Sequence, residues 1–149
     1  MKLNKDQILR IQKNRDPFLM VDEVINVIPG EKIYAKKYLN KDTWFFKVHW
    51  PGDPNMPGVL QLEAMTQACA IILQTKDEFE GKLIYISNID KAYFKKKVTP
   101  DDDLEIHGNI ISFKRGIAKC KAETYFKSDL ASKAEINIII PDQLNKFKK

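Results

Sequence analysis

Cysteine and histidine are scarce in this chain of 149 residues, with two of each. Cys69 and Cys120 stand far apart, so the chain offers neither a disulfide framework nor a zinc-ligand spacing. Both read as small core residues, and the pair fits a reducing compartment. His49 has Asp53 four residues on, but Pro51 between them prevents the helical i, i+4 geometry of a metal site, and no further histidine is near. No apolar run is long enough to span a bilayer. The first residues, MKLNKDQILRIQKN, are charged throughout and lack an apolar stretch or small-residue cleavage site, so no secretory signal is expected and the predicted location is cytoplasmic. Repeats and linkers are absent, which predicts a single domain over residues 1–149. The net charge of +5 comes from lysines scattered along the chain with no nucleic-acid motif, and excludes that partner class as a first reading. Apart from the KFKK tail, the one dense basic cluster is Lys95, Lys96 and Lys97, a patch that would attract an acidic protein.

Glycine and proline are also few, six and seven, yet five of them crowd into positions 51–58. Pro51, Pro54, Pro57, Gly52 and Gly58 exclude regular structure there and restrict the backbone, so His49 should be held firmly. From Val59 no Gly or Pro occurs until Gly81, which predicts a helix starting at Gly58 or Val59. Within Val59–Leu73 only Gln61, Glu63, Thr66 and Gln67 are polar, and Glu63, Thr66, Gln67 and Gln74 share a stripe. A helix apolar nearly all round must be buried inside the protein. Glu63 is then a carboxylate whose surroundings favour its neutral form. His49, Glu63 and the free amides of the helix start describe base, acid and oxyanion donor at one place.

These residues resemble a known family. HWPGDPNMPGVLQLEAMTQA is similar to the signature H-F-P-G-x-P-x-M-P-G-V-L-x-x-E-A-x-x-Q of the bacterial 3-hydroxyacyl-acyl-carrier-protein dehydratases of fatty-acid synthesis, FabZ type. The resemblance extends through Pro17, Phe18, Leu19, Val21 and Asp22 upstream and Ile89, Asp90, Lys91, Ala92 and Phe94 downstream. The chain departs from the pattern at Val48, Trp50, Asp53, Lys97 and Asp101. Asp53 stands where a basic residue is usual and gives a GDP like that of the sister FabA group, which also isomerises its product; Glu63 keeps the chain on the FabZ side. Lys97 and Asp101 stand where Pro and Gly are usual. The resemblance implies a hotdog fold, with catalysis by His49 and Glu63, substrate binding by Gly58, Val59 and Gln67, and no metal or organic cofactor. It also implies acyl carrier protein as partner, an acidic protein that the Lys95, Lys96 and Lys97 cluster would attract. The site is expected at a homodimer interface, histidine from one subunit facing carboxylate of the other, with dimers assembling in threes. Two other classes stay open, a hotdog acyl-thioesterase and a non-catalytic acyl-thioester-binding protein.

The remaining pattern supports an α+β fold, an antiparallel sheet wrapped around one long central helix. Asn4 with Gln7 predicts a capped first helix ending near Asn14. Strand-like runs cover Leu19–Val27 and Lys32–Leu39, turned by Pro29-Gly30. After the long helix, whose charged end Lys76–Glu80 should close at Gly81, Leu83–Phe94 reads as a strand bent near Asn88. Leu104–Phe113, Ile117–Phe126 and Ala131–Ile140 alternate apolar and polar residues, predicting a meander in which His107 lies on the surface. Pro141 should stop the sheet and leave a tail with no core to join.

Overall fold

Gly30 at φ 78° turns β1 (Glu23–Ile28) back on β2 (Lys32–Lys37), and the turn is tied to the central helix by the Gly30 amide donating to the Ile72 carbonyl at 2.9 Å. The computed structural model describes residues 1–147. Its other strands are β3 (Tyr85–Phe94), β4 (Leu104–Lys114), β5 (Ile117–Phe126) and β6 (Asp129–Ile139), all in one antiparallel sheet of order β1-β2-β4-β5-β6-β3. The predicted meander is β4, β5 and β6. Ala118, Cys120, Ala122, Thr124 and Phe126 of β5 and Ala134, Ile136 and Ile138 of β6 are buried. On the other face Lys121 stands opposite Glu135 and Glu123 opposite Lys133, opposite charges in register along a polar surface. His107 lies on that face, half-buried and stacked on Tyr34 with ring centroids 4.5 Å apart. The bend predicted near Asn88 is an irregularity in the β3–β6 register between Ile86 and Asn88.

The sheet curls around helix α3 (Gly58–Gln74), which packs on β2, β4, β5 and β6. From Ala64 to Gln74 every residue of α3 is buried, as its all-round apolar composition requires. Helix and sheet approach closely at Gly108, where a Cβ would lie 3.0 Å from Cys69 Sγ of α3 and 3.3 Å from Ile33 Cγ2 of the neighbouring strand. Cys69 on α3 faces Cys120 on β5, and both thiols are free and buried. The Cys69 thiol is pushed well up by its contact with Cys120 and by burial, so the pair serves as core. No helix of the described residues is long and apolar enough to cross a membrane.

Five expectations about local structure are corrected. The first strand begins at Glu23 rather than Leu19. Leu19, Met20 and Val21 are fully buried, but side chains take their backbone groups: Gln67 Oε1 accepts from Met20 N and Lys37 Nζ donates to the Leu19 carbonyl. Helix α1 (Lys5–Ile11) has the Asn4–Gln7 capping box but stops short of Asn14. A helix absent from the sequence reading, α2 (Trp44–Val48), precedes the Pro/Gly loop and buries Phe45 and Phe46; five residues are too few to show a helical period. Helix α3 ends at Gln74, and a separate 3-10 turn, Asp77–Phe79, tucks Phe79 into the core. The sheet does stop before Pro141 and no described residue beyond it joins the core, but a short helix the sequence reading lacked, α4 (Pro141–Asn145), follows, its Leu144 amide so near Gly116 that a Cβ there would sit 2.5 Å away. Of the KFKK tail, Lys148 and Lys149 lie outside the described residues.

Candidate active site

His49 closes α2, its amide donating to the Phe45 carbonyl at 3.0 Å. Its ring is half-buried, and Nδ1 lies 3.0 Å from the Asn55 carbonyl oxygen. A carbonyl can only accept, so Nδ1 carries the hydrogen and the neutral ring leaves Nε2 as its basic nitrogen. The loop between these residues is braced from several sides. Asp53 N donates to the Trp50 carbonyl at 2.9 Å, Asn55 Nδ2 to the Asp53 carbonyl at 2.7 Å, and Met56 N to the Val98 carbonyl at 2.8 Å. Gly52 takes φ 89°, open to glycine at little cost. The loop is therefore stiff, as its composition predicts, and it aims the histidine through a backbone carbonyl rather than a carboxylate.

Pro57 stands at the cap of α3 with no side-chain cap, so the helix opens with the amides of Gly58 and Val59 at the positive end of its dipole. Glycine at position 58 lets the Phe94 ring lie close: a Cβ there would meet the ring at 2.8 Å, so a larger residue would have to push it aside. Phe94, at the end of β3, thus forms a wall over the helix start. Val59 is 72% exposed.

Glu63, one turn further along α3, is half-buried. Burial raises its pKa, and a hydrogen bond from Gln67 works the other way. Gln67 is only 2% exposed, and both ends of its amide are engaged. Oε1 accepts from Met20 N at 2.7 Å, while Nε2 donates to the Phe18 carbonyl at 2.9 Å and to Glu63 Oε2 at 3.3 Å. The structure brings Gln67 to Glu63, but as a bracket between the carboxylate and the Phe18–Met20 backbone.

Gln61, which the sequence reading set aside from the stripe, is 3% exposed. Its Nε2 donates to the Met56 carbonyl at 3.2 Å, while Oε1 is buried with no hydrogen-bond partner. An acceptor left so costs about 1–3 kcal/mol. Its one early signal was a polar residue inside an apolar helical run.

The three lysines beyond Phe94 are not equivalent. Lys96 pairs with Asp129 at 2.7 Å, and Lys97 pairs with Asp53 of the loop. Lys95 Nζ lies 5.7 Å from the centre of the Tyr93 ring, with no carboxylate partner among the described residues. Lys95–Lys97 line a cleft of about 500 Å³ together with Asn55, Met56, Gly58, Gln61, Phe94 and Val98. A basic rim and a helix start therefore share one opening, lined also by Gln61, whose side-chain oxygen is buried without a partner.

The edge strand β3 is exposed along nearly its whole length, Tyr85, Ile86, Tyr93 and Phe94 included. Around the loop, Val48 and Trp50 add further exposed apolar surface, Trp50 at 61%. An unpaired apolar edge of this length is a surface that folded proteins cover. No hydrogen bond joins His49 to Glu63 within the chain among the described residues.

The family model described as the FabA-like domain matches residues 13–135. The chain is 42% identical over 129 residues to the 3-hydroxyacyl-[acyl-carrier-protein] dehydratase FabZ of Caldicellulosiruptor saccharolyticus, covering 87% of this chain and 92% of that protein. It is 35% identical over 145 residues to the enzyme of the same name from Lactobacillus helveticus, covering 97% and 98%. Among solved structures it is similar to the dehydratase heterocomplex ApeI:P of Xenorhabdus doucetiae, with a TM-score of 0.78 at 16% identity, covering 93% of this chain and 95% of that one. At that identity the likeness concerns the fold, a hotdog arrangement of antiparallel sheet and central helix.

Proposed function

The chain belongs to the FabA-like family, and from that membership we propose that it removes water from 3-hydroxyacyl thioesters of acyl carrier protein, giving trans-2-enoyl thioesters in fatty-acid synthesis. The enzyme class is hydro-lyase. The observation that carries the reading is the hydrogen bond from His49 Nδ1 to the Asn55 carbonyl, because it fixes the ring with Nδ1 as donor, so that in the neutral tautomer Nε2 is the nitrogen able to take a proton.

His49 Nε2 takes a proton from C2, made acidic by the thioester carbonyl. The Gly58 amide donates to that carbonyl oxygen as enolate charge develops, with the dipole of α3 adding to the stabilisation. Glu63, held towards its neutral form by burial, gives its proton to the departing hydroxyl, and the C3–O bond breaks as water leaves. Proton balance closes over the pair: His49 gains one and Glu63 loses one. Val59 borders the oxyanion position on the exposed side of the helix start. Gln67 contributes by orienting Glu63.

The working unit is a homodimer in which β3 edges pair across a two-fold and His49 of one subunit faces Glu63 of the other, with three dimers per assembly. The exposed apolar length of β3 supports this. Acyl carrier protein, an acidic partner, docks at the Lys95 end of the basic rim, and the protein works in the cytoplasm.

Mixing the protein with a 3-hydroxybutyryl thioester and following the conjugated enoyl absorbance tests the reading. Enoyl product without free thiol is expected. Thiol release alone would make the protein a thioesterase, and neither product would make it an acyl-binding protein.

A further inference from the structure

Gln61 has no part in the proton transfers, yet it lines the cleft that Gly58 opens and keeps a buried carbonyl oxygen without a hydrogen-bond partner. The orientation of its amide is fixed. The Met56 carbonyl at 3.2 Å can only accept, so Nε2 must face it and Oε1 must be the free atom. The free oxygen calls for a donor, and in the same cleft the Gly58 amide awaits the thioester carbonyl. Gln61 follows Gly58 by three residues, on the same side of α3 and about 4.5 Å further along its axis. A thioester arm laid along that side, with its carbonyl at the Gly58 amide, would pass Gln61 just beyond its sulfur. Lys95, Lys96 and Lys97 rim the opening, where an anionic group at the far end of such an arm would be attracted.

We propose that Gln61 Oε1 accepts a hydrogen bond from an amide N–H of the substrate's arm, making Gln61 a specificity residue for thioesters of the pantetheine type. Such an arm has an amide nitrogen two methylene groups from its sulfur and a phosphate at its far end. It is shared by acyl carrier protein and coenzyme A, so Gln61 reads the arm and not its bearer. The placement of the thioester rests on the dehydratase reading above.

The test compares 3-hydroxybutyryl thioesters of N-acetylcysteamine and of its oxygen-ester analogue, 2-acetoxyethanethiol, which lacks the N–H. Wild type should prefer the amide about five- to tenfold in kcat/KM, the worth of one neutral hydrogen bond. Gln61→Leu and Gln61→Met should both lose the preference through KM, leaving kcat close to wild type. Equal use of the two arms by wild type, or a preference surviving in a folded variant, would overturn the proposal; if neither variant folds, the wild-type ratio decides alone. Unreactive thioethers of the same two arms, titrated by calorimetry, read the amide preference without turnover. An amide preference in binding with no dehydration would sink the dehydratase reading and leave the Gln61 contact standing. With substrates carried on acyl carrier protein and on coenzyme A, Gln61→Leu should raise KM on both alike, and a loss confined to one would place the contact outside the shared arm and refute it.

Discussion

Asp53 and Lys97, two of the residues at which this chain departs from the pattern of its family, are ion-paired with each other. The first lies in the loop that carries His49, the second in the segment after β3. Each looks anomalous alone in the sequence, and together they form a strap from the catalytic loop to the cleft rim. The neighbouring departure, Asp101, is held by Thr99 Oγ1 at 2.8 Å and lies 3.7 Å from Lys127 Nζ.

Both partners of the strap are about half exposed, so a double-mutant cycle with Asp53→Ala and Lys97→Ala should give a coupling of about 0.2–1 kcal/mol in urea unfolding. High salt should erase it by screening. Additive losses at low salt would show that the pair contributes nothing.

Glu63 should leave a signature in stability as well as in rate. Burial raises its pKa in the folded state, so between the ordinary carboxylate range and the raised value the folded protein holds a proton the unfolded chain has released. Stability contributed by this group is therefore present in acid and falls as pH rises through that window. Glu63→Gln should match the thermal midpoint of wild type in acid and exceed it at neutral pH. Its dehydration rate should fall about a hundred- to ten-thousand-fold. An unchanged rate would remove Glu63 as the acid, and a lower midpoint at neutral pH would contradict the burial argument.

Lys95 is the lysine of its cluster with no carboxylate partner among the described residues, so it should dominate docking of an acidic carrier protein. Lys95→Glu is expected to raise KM for a carrier-bound substrate about tenfold or more while leaving a short soluble thioester nearly unaffected. Added salt should mimic the substitution in wild type. Equal losses on both substrates would mean that Lys95 supports the fold of β3 instead.

A site shared between subunits predicts complementation. Mixed His49→Ala and Glu63→Gln subunits should recover part of the wild-type activity, each hybrid dimer holding one site with both catalytic groups intact. Mass spectrometry would verify subunit exchange, and exchange without recovery would place both groups in one chain.

Features set by local composition were legible in the sequence. An apolar run bounded by Gly58 and by the charged stretch after Gln74 had to be a buried helix, and the alternation through Ala118–Phe126 and Ala134–Ile140 had to be sheet with one face inward. Features set by long-range pairing were not. Leu19–Val21 have strand composition, but Gln67, more than forty positions away, takes the Met20 amide. Gln61 and Gln67 are the same residue type six positions apart, and only the packed structure shows that one amide is engaged at both ends while the other keeps an oxygen free. His49 was legible as the candidate base, but the partner that orients it, a backbone carbonyl, carries no side-chain signature at all.

The close approach of α3 to the sheet at Gly108 bears on how this protein can change over generations. The gap is set by Gly108, Cys69, Ile33 and Ile72, and Glu63 rides on the helix that fills it. Any lineage that acquires a larger side chain at position 108 moves the carboxylate, although that site is no part of the reaction centre. Inherited variation in catalytic rate can therefore arise in the core, and compensating volume changes at positions 33, 69 and 72 are the substitutions that would restore it.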